Sequence, residues 1–259
     1  MPAENAESIV LNSVPFSNTS QITTLYTREF GKFSALAKGS RREKNPFDNG
    51  LDVMARLKTT HYPRNQGLQL LTQASLERWF RVDRNNIPAL FAGYYVVELV
   101  DSFTAELDPS AELFDLTDST LAALTAGEEV WRTLLRFNWR QFEIIGIAPR
   151  WDGCVVCGKK RVRQPGWLFG LIDGGVICPQ CAANQSRESQ TGEGFLHALP
   201  VSPAVLDIAR QFADSRHKLW QRLKAADVHR RELRKFTDLY IAHNLGWAPK
   251  MQRYSRMFI

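Results

Sequence analysis

Alternating apolar and polar positions fill the first third of the chain and predict β-strands. In the segment 20–27, β-branched and aromatic residues alternate with polar ones, which is the period of a strand with one buried face. The other predicted strands cover 8–14, 32–38, 51–62 and 67–76. Five short strands in under eighty residues favour a small barrel, with the OB-fold as the natural candidate. A strand count does not fix topology, so any five-stranded β module remains an alternative.

From residue 87 onward the apolar residues recur with a helical period. Three helices are predicted in the middle of the chain: a largely buried one from Ile87, one from Asp108 to Gly127, and one from Glu129 to about Ile145. Two amphipathic helices are predicted to close the chain, and their ranges are 202–225 and 230–245. The polar segment 184–194, which precedes these two helices, is expected to be a loop.

All four cysteines lie in one stretch, as two Cys-x-x-Cys pairs. Twenty residues separate the pairs and carry two short predicted strands, 167–172 and 176–177, joined by a turn. This spacing predicts a zinc ribbon with one structural Zn²⁺. The four predicted ligands are Cys154, Cys157, Cys178 and Cys181.

Other uses of the cysteines fit the sequence less well. Two disulfides need an oxidising compartment, and the polar, acidic N-terminus shows no signal peptide. A thioredoxin-like pair needs one Cys-x-x-Cys in a βαβ setting. An iron–sulfur cluster stays open but usually has other spacings. Catalytic zinc is disfavoured because four thiolates leave no open coordination position.

Composition and length limit the class of protein. The 259 residues allow two domains, and 44% hydrophobic residues with 11% aromatics favour packed structure over disorder. No apolar run approaches a membrane span, and a cytoplasmic, nucleoid-associated protein is expected. We predict an α+β fold class, with an OB-fold domain at 1–80 and an α-helical domain at 81–259 that contains the zinc ribbon at about 150–184.

The net charge of +6 is unevenly distributed. No Lys or Arg occurs from Asn85 to Trp131, where nine acidic residues occur. Segregated charge indicates an electrostatic footprint better than net charge does. The leading candidates for phosphate contacts lie within seventeen residues on predicted strand ends and one loop: Arg28, Lys32, Lys38, Arg41, Arg42 and Lys44. Phe33 or Phe47 is a candidate for stacking on bases, although Phe33 sits in a strand pattern typical of the core. The alternative is a set of solvated loop charges.

A second set of arginines, Arg132, Arg136 and Arg140, is spaced by four on a predicted helix. With Trp139 nearby, it is a candidate dock for a peptide with an acidic and aromatic end, and an ordinary solvent face is the alternative. Catalytic residues are not predicted: the sequence contains no phosphate-binding glycine loop, no H-E-x-x-H and no recognisable acid–base pair.

Collinear pieces of the chain resemble the bacterial RecO recombination mediators. The most characteristic are 25–32 and 37–42, followed by Tyr94–Leu99, the segment 146–158 and the closing 239–246. Asn18, Ser40 and Asn138 depart from residues usual in the family. The matching segments occur in the same order as in the family and cover nearly the whole chain. We therefore base the functional prediction on this resemblance.

The resemblance implies a non-enzymatic protein that binds single- and double-stranded DNA and anneals complementary strands. Its implied partners are RecR, the single-strand-binding protein SSB and, indirectly, RecF and RecA. The resemblance also implies that it helps to load RecA onto SSB-coated DNA. Lys38, Arg41 and Arg42 become the leading phosphate contacts, and the Arg132/Arg136/Arg140 face becomes a candidate dock for the SSB tail. A transcription-related zinc-ribbon protein, a scaffold without annealing activity and a nuclease stay open as alternatives.

Overall fold

The N-terminal part of the chain forms a closed five-stranded barrel. The structure is a computed structural model and describes residues 2–48, 50–64, 67–83, 85–188, 198–214 and 219–258. The strands are β1 (Glu4–Pro15), β2 (Gln21–Thr27), β3 (Gly31–Ala37), β4 (Arg56–Tyr62) and β5 (Gln69–Arg78). Their order is β1-β2-β3-β5-β4, with β4 pairing back onto β1. Only the β3–β5 pair is parallel among these strands, and the order confirms the predicted OB-fold.

The barrel interior is built by alternate residues of each strand. In β3, Phe33, Ala35 and Ala37 are buried while Lys32 and Ser34 are only partly covered. Phe47, in the connection between β3 and β4, also enters this core. Small alanines beside large aromatics suit the narrow interior of a five-stranded barrel. Phe33 and Phe47 are 3% and 1% exposed, so neither ring can stack on a base and their candidacy as stacking residues was wrong. For Phe33, burial confirms the core position that its strand pattern indicated.

Two helices pack with the barrel. They are α1 (Ile87–Phe103), capped by the Asn86 side chain, and α2 (Ala111–Thr125), capped by Ser110. Gly93 allows close packing, because a Cβ there would lie 2.6 Å from Met54 Sδ and from Phe80. Contacts between residues divide the chain into two compact units. The first unit comprises the chain from its start to Leu134, together with the single residue Phe258. The expected domain boundary near residue 80 stays a prediction.

The second unit begins at Leu135, inside the third helix, and contains the later helices and the small ribbon sheet. The elements from α3 onward are α3 (Val130–Ile144), β6 (Leu168–Gly170), β7 (Gly175–Ile177), α4 (Pro179–Glu188), β8 (Ala198–Pro200), α5 (Pro203–Ala213) and α6 (Asp227–Leu245), with 3₁₀ turns at Leu219–Arg222 and Lys250–Phe258. Trp139 of α3 lies at the aromatic centre of this unit, 5.5 Å from the Phe236 ring and 5.3 Å from the Trp151 ring. The ribbon joins this core through Trp151 and Phe169.

Two expectations about the second unit need correction, and one of its strands was not predicted. The expected loop 184–194 is helical up to Glu188, and its remaining residues lie outside the described ones. The expected helix 202–225 ends at Ala213, because Asp214 is extended and the carbonyls of Phe212 and Asp214 accept from Arg136; residues 215–218 lie outside the description. The strand β8, which pairs with β6, was not predicted because its three residues are too few to show a period.

Among the residues that the structure describes, no helix combines the length and apolarity needed to cross a bilayer.

Candidate metal centre and nucleic-acid interface

The four cysteines converge on one point of the second unit. Their sulfur atoms all lie within 4.8 Å of one another, and Cys157 Sγ is 3.8 Å from Cys178 Sγ. A regular tetrahedron with metal–sulfur bonds of about 2.3 Å has an edge of about 3.8 Å. All four cysteines are free thiols rather than disulfides. The geometry fits a four-thiolate metal site and agrees with the ligand set predicted from the spacing.

Backbone groups shape each half of this site. Gly158 adopts φ +76, and its N–H donates to the Cys154 carbonyl at 2.8 Å, which closes the first turn. The Cys178 N–H points at Cys154 Sγ over 3.3 Å. Burial raises the pKa of the Cys154 thiol, but backbone N–H groups outweigh it and bring that pKa down to about 6. Hydrogen bonds from the neighbouring thiols raise the pKa of Cys181 to about 12. Four thiolates at these distances repel one another, and a divalent cation at their centre removes that repulsion.

The second candidate site is the connection that follows β3, hereafter the basic loop (residues 38–45). Its turn is fixed by Gly39 at φ +79, with the Arg42 N–H donating to the Gly39 carbonyl at 3.1 Å. The Asn45 side chain closes it, donating to the Arg42 carbonyl at 2.7 Å. Four cationic residues of the basic loop are exposed: Lys38, Arg41, Arg42 and Lys44.

The basic loop is hydrogen-bonded to the loop between β1 and β2, hereafter the β1–β2 loop (residues 16–20). The Arg41 N–H donates to the Thr19 carbonyl at 3.1 Å, and Arg41 Nη1 donates to the Ser17 carbonyl at 3.2 Å. Gly39 N–H donates to the buried Ser20 hydroxyl at 3.1 Å. These bonds hold the guanidinium of Arg41 against the β1–β2 loop and make the two loops one surface.

Phe16 was missed by the sequence reasoning. It lies in the β1–β2 loop, next to the residue whose carbonyl holds Arg41, and its side chain is 60% exposed. Its N–H donates to the Ser20 carbonyl at 3.0 Å, so its backbone is fixed although its ring is open. The available signal was an aromatic residue directly after Pro15, where the strand pattern stops.

Arg28 and Lys32, predicted together with the basic loop, have a different environment. Arg28 pairs with Asp115 through two hydrogen bonds, and Lys32 Nζ lies 3.1 Å from an Asp101 carboxylate oxygen. Gly31 allows this approach, because at φ +70 its backbone passes so close to Asp108 that a Cβ would sit 2.5 Å from the Asp108 carbonyl. Both cations therefore already have carboxylate partners, unlike the side chains of the basic loop, whose described contacts include no carboxylate.

The three arginines of α3 are also engaged. Arg132 pairs with Glu129, and Arg140 pairs with Glu143. Arg136 donates to the carbonyls of Phe212 and Asp214 and lies 5.3 Å from the centre of the Trp220 ring. Burial, with the nearby charge of Arg140, lowers the pKa of Arg136 to about 10. Their assignment to an acidic peptide stays a prediction, and Arg136 has a clear packing role.

Comparison with known families covers nearly the whole chain. The family described as "Recombination protein O N terminal" matches residues 1–80, and "Recombination protein O C terminal" matches residues 84–253. Curated relatives that match the chain carry the name "DNA repair protein RecO", and three of them illustrate the similarity. The protein of Rhodopirellula baltica is 36% identical over 208 residues, which is 80% of this chain and 73% of the relative. That of Myxococcus xanthus is 31% identical over 242 residues (93% and 91%), and that of Salinibacter ruber 35% over 185 residues (71% and 70%).

Proposed function

This chain belongs to the RecO family of DNA repair proteins, and we propose that it acts as a recombination mediator without catalytic chemistry. In this role it binds single- and double-stranded DNA and anneals complementary strands. With RecR, it helps to load RecA onto DNA coated by SSB. DNA binding of this kind would place it at the nucleoid.

One observation carries the proposal: the exposed cations of the basic loop lie on the OB-fold beside an exposed aromatic ring. OB-folds bind nucleic acids through the β1–β2 loop and neighbouring loops, where cations contact phosphates and aromatic rings stack on bases. Arg41, held against the Ser17 carbonyl, offers its remaining N–H groups to a phosphate in a fixed orientation. Phe16 offers an exposed ring on which a base can stack, whereas the rings of Phe33 and Phe47 are buried in the barrel.

The mechanism of annealing is electrostatic. Two complementary strands repel each other through their phosphates, and bound cations lower that repulsion until the bases pair. Release of condensed counterions supplies much of the binding free energy, so both binding and annealing should weaken as salt rises. Lys38, Arg41 and Arg42 are the residues on which this mechanism depends first.

The metal centre takes a structural part in this proposal. We assign Zn²⁺ to the four cysteines because a closed tetrahedral thiolate set suits that ion and leaves no position for a reacting water. The ion would hold Cys154 and Cys157 to the Cys178 turn, and thus hold Trp151 and the β6 residue Phe169 in the aromatic core.

The protein partners are proposed on the family resemblance. RecR and SSB are the partners expected to bring the chain to coated DNA. Arg132 and Arg140 remain candidates for the acidic SSB tail through ion exchange with Glu129 and Glu143. Arg136 is less suited to that contact, since its guanidinium is committed to two backbone carbonyls.

The test is the variant Lys38→Ala/Arg41→Ala/Arg42→Ala, measured for DNA binding and for annealing of SSB-coated oligonucleotides over a salt series. We expect weaker binding at every sequence, slower annealing, and a log–log salt slope for single strands that is shallower by about 2, from about 0.7 per lost phosphate contact. The control of equal charge, Lys58→Ala/Arg78→Ala/Arg81→Ala, removes three exposed cations of the first unit outside the basic loop, of which Lys58 pairs with Glu77 and Arg78 pairs with Asp118. Unchanged affinity and slope in the first variant, or an equal loss in the control, would sink the assignment. Binding without any acceleration of annealing would indicate a scaffold instead.

A further inference from the structure

A second concentration of positive charge lies in the second unit, at the start of α6. A concave pocket of about 440 Å³ is lined there by four arginines and one aspartate, namely Arg230, Arg231, Arg234, Arg256 and Asp227. Three of the arginines belong to the first two turns of α6, and Arg256 comes from the 3₁₀ turn Lys250–Phe258. The lining carries a formal charge of +3 and includes no apolar residue.

Two of these arginines are held in place by their own contacts. Arg234 Nη1 lies 3.1 Å from an Asp238 carboxylate oxygen and 3.1 Å from the Ser255 hydroxyl. Arg230 Nε donates to the Ala225 carbonyl at 2.9 Å, with Asp227 3.8 Å away. These contacts reduce the conformational entropy that a ligand would have to remove from the pocket wall.

The other two arginines are exposed and have no carboxylate within ion-pair distance among the described residues. Arg231 donates only to the backbone carbonyl of Asp227, at 3.3 Å, and Arg256 faces solvent. Like charges that line one pocket repel one another in the absence of an anion. The pocket is therefore electrostatically suited to a ligand with several negative charges.

Phosphodiester groups match this lining better than an acidic peptide does. Planar guanidinium groups bind phosphate oxygens in pairs, and a chain of phosphates presents one charge per nucleotide to successive arginines. A docked peptide usually adds an apolar anchor residue, and the lining of this pocket offers no apolar residue to receive one.

We propose that this pocket binds the phosphodiester backbone of a second DNA strand while the basic loop holds the first. The inference rests on the proposed annealing function, which requires two strands on the same protein. It assigns the second strand to Arg231 and Arg256, with Arg230 and Arg234 as the fixed wall of the pocket.

The test separates capture of the second strand from capture of the first. The protein is saturated with one unlabelled single strand, and binding of a labelled, non-complementary single strand is then titrated over a salt series. For Arg231→Ala/Arg256→Ala we expect first-strand affinity within about twofold of the parent, second-strand affinity about tenfold lower, and a second-strand salt slope shallower by about 1.4. Annealing should slow in proportion to the lost second-strand affinity.

The control is Lys235→Ala/Arg253→Ala, which removes the same charge from the same two elements outside the pocket lining. Second-strand affinity that is unchanged in the pocket variant, or reduced equally in the control, overturns the proposal. So does an oligoglutamate that displaces the second strand more effectively than an abasic phosphodiester of equal charge. A failure of the proposed function itself would look different, because first-strand binding would then resist the basic-loop substitutions as well.

Discussion

The guanidinium of Arg28 binds the carboxylate of Asp115 with two parallel hydrogen bonds, Nε to Oδ1 at 3.0 Å and Nη2 to Oδ2 at 2.9 Å. Asp115 lies in the long segment that contains no Lys or Arg, and so does Asp101, the partner of Lys32. The charge segregation visible in the sequence therefore becomes pairing within the first unit. The cations Arg28 and Lys32 that meet this acidic segment are compensated, and the cations of the basic loop keep their charge for an anionic partner.

This pairing predicts different effects for two substitutions. Arg28→Ala should change DNA affinity little, because the guanidinium is already bound to a carboxylate. Asp115→Asn should raise DNA affinity about twofold to threefold, since it releases Arg28 and removes a negative charge. Titration of the two variants with one oligonucleotide at low salt checks both. A strong loss for Arg28→Ala, comparable with that of Arg41→Ala, would return Arg28 to the interface.

Phe16 should matter for bases and not for phosphates. Phe16→Ala is expected to weaken single-strand binding by about 1–3 kcal/mol per stacked base, while Phe16→Trp preserves it. Duplex binding should be nearly unchanged, since stacked bases in a duplex offer no free face. The measurement compares a normal single strand with an abasic one of equal length. If Phe16→Ala weakens both strands equally, the ring is not a stacking platform.

The metal centre should be required for folding of the ribbon. We expect one Zn²⁺ per chain in protein purified without added metal, measured by elemental analysis. Cys154→Ser should abolish stoichiometric binding and lower the melting temperature of the second unit, because binding free energy at such sites is folding free energy. Visible absorbance with stoichiometric iron and sulfide would identify an iron–sulfur cluster instead.

Arg136 should behave as a packing residue. Arg136→Leu leaves the carbonyls of Phe212 and Asp214 without their donor, and we expect a loss of about 2 kcal/mol in unfolding free energy. Chemical denaturation measures it. Arg132→Ala is the comparison on the same helix, and its partly exposed pair with Glu129 should contribute under about 1 kcal/mol. If Arg136→Leu instead lowered the affinity for an SSB tail peptide and left the unfolding free energy unchanged, Arg136 would be a docking residue.

His61 should make the barrel sensitive to acid. Its side chain is 2% exposed and its ring lies 4.5 Å from that of Phe33, and burial lowers its pKa below the usual 6.5 despite the nearby charge of Glu4. The unfolded chain then binds more protons than the folded one, so stability is lost as pH falls below about 6.5, by about 1.4 kcal/mol per unit of pKa difference.

The measurement for His61 is the melting temperature from pH 7.5 to pH 5.5. The variant His61→Phe keeps an aromatic ring beside Phe33 and removes the titrating group, so its curve should be flatter over this range. Parallel curves for the parent and the variant would show that carboxylates, not His61, govern the pH dependence.

The sequence by itself determined the elements whose signal is local. Strand alternation in β2 and β3 predicted the barrel, the spacing of Cys154 and Cys181 with their neighbours predicted the metal ligands, and the run of cations after β3 marked the basic loop. These features follow from periodicity, from fixed ligand spacing and from charge, all of which are written into short segments.

Only the tertiary structure decided which of these side chains are available. Arg28 and Arg41 look alike in a sequence, but Arg28 meets Asp115, 87 positions later in the chain, while the guanidinium of Arg41 meets a backbone carbonyl group. Phe33 and Phe16 are both aromatic, yet one fills the barrel and the other is open. Partners distant in sequence set burial and charge compensation, and no local period encodes them.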